Sequence, residues 1–82
     1  MDREVGRVIH WYDRAGVAVM KLTGTLRVGD TVKIKKGERE SDGTVISMQV
    51  NHLDIGEGKA GEEVAVKLSE TTKEGAVVYL VS

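Results

Sequence analysis

The chain has no cysteine, no proline and no phenylalanine, its formal net charge is only -1, and it holds no long apolar run. Each absence removes a class of answers. Without cysteine there is neither a disulfide framework nor a thiolate metal site, so burial and backbone hydrogen bonds must hold the fold. Without proline the turns fall to glycine, of which there are 10 in 82 residues. A membrane-spanning helix needs about 20 successive apolar residues, and no stretch approaches that. The segment Met1-Asp2-Arg3-Glu4 lacks the apolar core of a secretory leader, so a cytoplasmic protein is expected. The near-neutral charge argues against gripping nucleic acid by bulk electrostatics, which leaves room only for a local contact.

What is present reads as strands. The longest run is Gly43 to Ile55, β-branched residues mixed with polar ones, broken afterwards by Gly56-Glu57-Gly58-Lys59-Ala60-Gly61-Glu62. Its composition predicts a central strand delivering a glycine-rich loop. Before it, strands are expected over Glu4 to Tyr12, with Gly6 at a bulge or close backbone approach, and over Gly16 to Leu22 after a turn at Asp13-Arg14-Ala15-Gly16. Thr31 to Lys35 alternates cleanly, placing Val32 and Ile34 inside and Thr31, Lys33 and Lys35 outside. Leu26 and Val28 are expected under the barrel rim, and Lys36 to Asp42 as a polar loop. Later come Glu63 to Ser69, with Val64, Val66 and Leu68 inward, and Ala76 to Val81. Between these, Ser69 to Gly75 could hold one helical turn closed by Gly75. Ile46 and Val66 are expected in the core, unless a bulge near Ser47-Met48 flips the alternation. Six short strands in one small domain spanning 1-82 must close on themselves to hide their edges. The expected fold is all-β: a small closed six-stranded, antiparallel-rich barrel.

Three blocks carry a resemblance: Leu26-x-Val28-Gly29-Asp30-x-Val32-x-Ile34, Val45-x-Ser47-Met48-Gln49, and Ala60-Gly61-Glu62-x-Val64. In this order they resemble the second, barrel domain of translational GTPases of the elongation factor Tu type, the translation-protein or reductase-elongation-isomerase barrel. No G-x-x-x-x-G-K-[ST] phosphate loop accompanies them, so the resemblance implies a barrel without the GTPase domain. It implies a non-enzymatic, elongation factor-like module of protein biosynthesis. Its expected partner is RNA, either tRNA or rRNA, or a translation-related protein, with no nucleotide, no membrane, no cofactor and a monomeric state. Carried over by position, the resemblance implicates Arg14, Glu57 and Lys59 in binding. Met20-Lys21-Leu22 stands where the tRNA-carrying members have a polar pair, which implies an altered site. The alternative is an accessory or adaptor barrel docking onto another protein or enzyme.

The residues themselves suggest little chemistry. His10 and His52 lie on different predicted strands without a cysteine or spaced carboxylates, so the three or four convergent ligands of a metal site are missing. Ser47 has no G-x-S-x-G context and is expected to bond backbone at a bulge. Trp11 reads as core or a rim plug, with His10 or Tyr12 exposed. Lys33, Lys35, Lys36 and Arg39 form the densest basic patch and a second candidate contact for RNA or protein. Glu38, Glu40 and Asp42 dilute that patch.

Overall fold

The computed structural model describes residues 3–81; Met1 and Asp2, on which the reading of the amino terminus partly depends, lie outside the described residues. Among the described residues there are nine strands, in order β1 (Arg3–Tyr12), β2 (Val17–Leu22), β3 (Leu26–Arg27), β4 (Thr31–Lys36), β5 (Arg39–Val50), β6 (Leu53–Ile55), β7 (Glu57–Gly58), β8 (Glu63–Leu68) and β9 (Val77–Leu80). Hydrogen bonding runs β4-β9-β1-β2-β8-β5 and returns from β5 to β4, every pairing antiparallel. The six-stranded closed barrel expected from the strand count is therefore present. Closure leaves β6 as an extension hairpinned onto β5, and β3 with β7 as a separate two-stranded ribbon.

Period-two alternation fills the interior. Val64, Val66 and Leu68 of β8, Val32 and Ile34 of β4, and Ala18, Met20 and Leu22 of β2 are buried, together with Val5, Val8, Val45, Met48 and Val78. No polar or charged residue among those described is fully buried, so the core is an apolar plug, mainly of valines, leucines and methionines. Register shifts at Glu4/Gly6, Val8/His10 and Val45/Ser47 mark bulges, which let long strands bend around a narrow barrel. Gly6 satisfies both readings made of it. It sits at a bulge, and a Cβ there would lie 3.0 Å from the Lys21 carbonyl oxygen and 2.9 Å from Met20 Cε.

Several local expectations are corrected. The run from Gly43 to Ile55 is not one strand: β5 ends at Val50, Asn51 and His52 both take positive φ (51° and 65°), and β6 folds back on β5. That is the backbone of a tight two-residue hairpin, whose right-handed twist requires left-handed residues that asparagine tolerates well. The supposed loop from Lys36 to Asp42 is the end of the β4–β5 hairpin, with Lys36 opposite Arg39 and Lys33 opposite Asp42. Ile46 is half exposed because the bulge between Val45 and Ser47 turns it outward. Leu26 is buried as expected, but Val28 is exposed on the turn. Ser69 to Gly75 contains no helical turn; Gly75, at φ 87°, instead closes a turn in which the Ala76 N–H donates to the Lys73 carbonyl.

Candidate functional site

The strand registers divide the barrel into two ends. Val17 pairs with Lys67 and Lys21 with Glu63, so the turn carrying Arg14 lies at the end where β8 finishes, and the turn carrying Lys59 where β8 begins. Five residues of strand, roughly 16 Å, separate them. Arg14 therefore does not share a site with Glu57 and Lys59. Met20 and Leu22 are core residues rather than the wall of a pocket, and only Lys21 between them faces out.

At the Lys59 end, two turns are built alike. After β3 the Asp30 N–H donates to the Arg27 carbonyl (3.1 Å), while the Asp30 carboxylate accepts from the Arg27 N–H (2.8 Å). After β7 the Glu62 N–H donates to the Lys59 carbonyl (3.1 Å), and its carboxylate accepts from the Lys59 N–H (2.6 Å). Gly29 and Gly61, at φ 94° and 93°, occupy the same position in each. A glycine at positive φ followed by an acid that closes the turn on its own backbone is a local solution open to any chain.

Between these turns Arg27 faces Glu57 across the ribbon, Nε to Oε1 at 2.6 Å. The hydrogen bond from Arg27, and then its charge, hold the Glu57 carboxyl below the usual carboxylate value. A candidate contact residue is thus occupied within the molecule. Because the folded value is the lower one, the pair's stabilisation is present above the ordinary carboxylate range and is lost as pH falls through the depressed value. The melting temperature of the wild type is expected to exceed that of Glu57→Gln by a small margin above about pH 5, the margin shrinking as the solution is acidified below the ordinary carboxylate range. Thermal melts of both proteins across that range check this, and a margin that persists in acid contradicts it.

The other end gathers more. Alternation along β4 puts Val32, Ile34 and Lys36 on one face and Lys33 and Lys35 on the other, so the basic patch read from the sequence is split. Outside, Lys33 pairs in register with Asp42, and Lys35 Nζ lies 3.8 Å from Glu40 Oε1 and 5.9 Å from the centre of the Tyr79 ring. On the inner face, where the hairpin projects past the barrel, Lys36 and Arg39 are cross-strand partners next to Ile34 and Ser41, themselves partners. The segment before β9 brings Thr71, Thr72 and Lys73 against them. The result is a groove of about 370 Å³ floored by Ile34.

Beside it Trp11, Lys36, Lys73 and Glu74 line a second, shallower depression. Trp11 is half buried against the edge of the core and donates from Nε1 to Asp13 (3.2 Å), which makes it the rim plug expected. His10 Nδ1 is 3.2 Å from Glu74 Oε1, and the His10 and Tyr12 rings meet edge to face at 4.4 Å. Sequence reasoning found Lys36 and Arg39 but missed Ser41, which reads as loop and is a strand residue opposite Ile34, and Thr71, Thr72 and Lys73, which only the crossing of the 69–75 segment brings there. Among the described residues no three histidines, aspartates or glutamates converge in a way that could hold a metal ion, and no helix is long and apolar enough to cross a membrane.

No protein-family model matches the chain. Over 78 residues, 94% of its length, it is 42% identical to an uncharacterized protease of Methanocaldococcus jannaschii, of which the match covers 19%. The chain thus spans about a fifth of that relative. Two crystal structures of the C-terminal domain of a Geobacillus thermoleovorans protein described as a U32 peptidase share the fold. The native form superposes with a TM-score of 0.86 over 95% of this chain and 91% of that one, and the selenomethionine variant with 0.83 over 93% and 96%, each at 14% identity.

The sequence likeness to a protease overturns the resemblance to the elongation factor Tu barrel and the expectation of a translation-factor role, and leaves the expected RNA partner without support. The reason lies in what the three blocks encode. The first and third are the two acid-closed turns and the second is the bulge at Val45/Ser47. All three describe how a small barrel turns its corners, and none describes a partner. The assignment of Arg14, Glu57 and Lys59 to a tRNA site loses its basis with the resemblance.

Proposed function

We propose that this chain is a non-catalytic accessory barrel that docks onto, or is carried by, a larger protease-type protein. The observation that carries the reading is the 42% identity to about a fifth of the Methanocaldococcus jannaschii protease, which leaves most of that protein for other work. The likeness of the fold to the C-terminal domain of a U32 peptidase supports it. So does the distribution of polar residues, none of those described being fully buried in the apolar plug, with Asp30, Glu62 and Glu74 held by turns or by His10. We read the chain as one domain, and as cytoplasmic on its lack of cysteine.

The test uses the relative. The Methanocaldococcus jannaschii protein is prepared whole and without its matching segment, and the 82-residue chain is titrated into each by analytical ultracentrifugation. Association with the truncated form alone, together with no cleavage of casein by the barrel by itself, is expected. Cleavage by the isolated barrel, or no association with the truncated form, overturns the reading.

A further inference from the structure

We propose that the groove under the β4–β5 hairpin binds the carboxylates of an acidic peptide segment. Lys36, Arg39 and Lys73 converge on it from two regions of the chain, and none of them forms an ion pair among the described residues. Glu40, on its rim, lies near Lys35, and Glu74 beside it is engaged by His10. These two acids thus have partners of their own, while the three cations form no ion pair among the described residues.

A second observation is independent of charge. Thr72 is one of the residues lining the groove, and its Oγ1, shielded from solvent, has no hydrogen-bond partner among the described residues. A hydroxyl buried without a partner costs free energy that an acceptor reaching it would recover. Arg39 offers the planar fork that matches a carboxylate, and Lys36 and Lys73 add point charges to the same groove. The depression over Trp11 shares Lys36 and Lys73 with the groove, so a bound segment has a continuous path with an apolar surface for its stem.

The same features disfavour a long polyanion. Glu40 and Glu74 border the track, and the chain as a whole is slightly acidic, whereas nucleic-acid grooves are lined by one sign of charge. That the ligand is a peptide rests on the protease-type reading; the anionic character of the ligand does not. The experiment is a chemical-shift titration of the isotope-labelled chain at about 50 mM salt, where screening is modest. The probes are an end-blocked tetraglutamate, the matching tetraglutamine, inorganic phosphate and a short single-stranded RNA.

Saturable shifts at the Ser41, Thr72 and Lys73 amides are expected with tetraglutamate and not with tetraglutamine. Arg39→Gln with Lys73→Gln, both surface changes, should weaken binding about tenfold or more while leaving the melting temperature unchanged. Equal binding of tetraglutamine, shifts centred elsewhere, indifference to the double substitution, or tighter binding of phosphate or RNA at the same amides each overturns the proposal. None of these outcomes bears on the association assay above, which contains no acidic peptide.

Discussion

Val66→Asp is expected to abolish cooperative thermal unfolding, while Ile46→Asp on the neighbouring strand melts within a few degrees of the wild type. Both residues look equally inward by composition. Val66 is fully buried, in register with Ala18 on one side and Met48 on the other, so an aspartate there has no water and no partner. An unpaired carboxylate in such a position costs on the order of 4 kcal/mol, against a total of roughly 5 for a domain of this size. Ile46 is 50% exposed, and an aspartate there remains hydrated. Circular-dichroism melts of the two variants decide it, and a cooperative Val66→Asp transition near the wild type would mean the register of β8 is wrong.

The second large effect concerns a glycine that the sequence places in a loop. Gly58→Ala is expected to lower the melting temperature markedly, and Gly56→Ala, two residues away, to leave it unchanged or slightly raised. A Cβ on Gly58 would lie 2.6 Å from Leu22 Cδ1, 3.1 Å from Met48 Cε and 3.3 Å from Val64 Cγ1, inside the core. Overpacking of this kind costs about 1–3 kcal/mol, and each kcal/mol moves the midpoint of a small domain by roughly 4–8 °C. Gly56 has nothing within 4 Å and no positive φ, so alanine there only stiffens the unfolded chain. If the two variants melt alike, the β3–β7 ribbon does not press on the core as described.

The contrast shows where sequence reasoning reaches. Strands with strict alternation, expected over Thr31 to Lys35 and Glu63 to Ser69 and found as Thr31–Lys36 and Glu63–Leu68, were legible to within a residue, because period-two burial is a local property. Closure was legible too, since so many short strands have few other ways to hide their edges. The fold at Asn51-His52 was not: β-branched residues on both sides mask a turn that depends on two residues adopting positive φ. At Ile46 the two readings left open by the sequence are decided by the structure: a bulge reverses the faces without leaving a glycine behind. Of the site, the two hairpin cations Lys36 and Arg39 could be found. Their division from Lys33 and Lys35 required knowing that the hairpin continues past the barrel, and their partner Lys73 required the path of a segment with no periodicity at all. The family resemblance was the least reliable inference because it rested on corner chemistry, which recurs wherever a chain must turn the same corner.

Closure has one further consequence. Since β1 and β9 are neighbours in the barrel and Arg3 stands opposite Leu80, the strand that opens the fold and the strand that completes it meet at one pole, beside the Lys59 turn. The cationic groove occupies the other pole. A host polypeptide spliced to either terminus would therefore grip the module by its foot and leave the groove pointing outward. With the start of β1 and the end of β9 this close, the barrel is suited to grafting into a host loop, or to circular permutation with a short joining segment, with little strain on its strands.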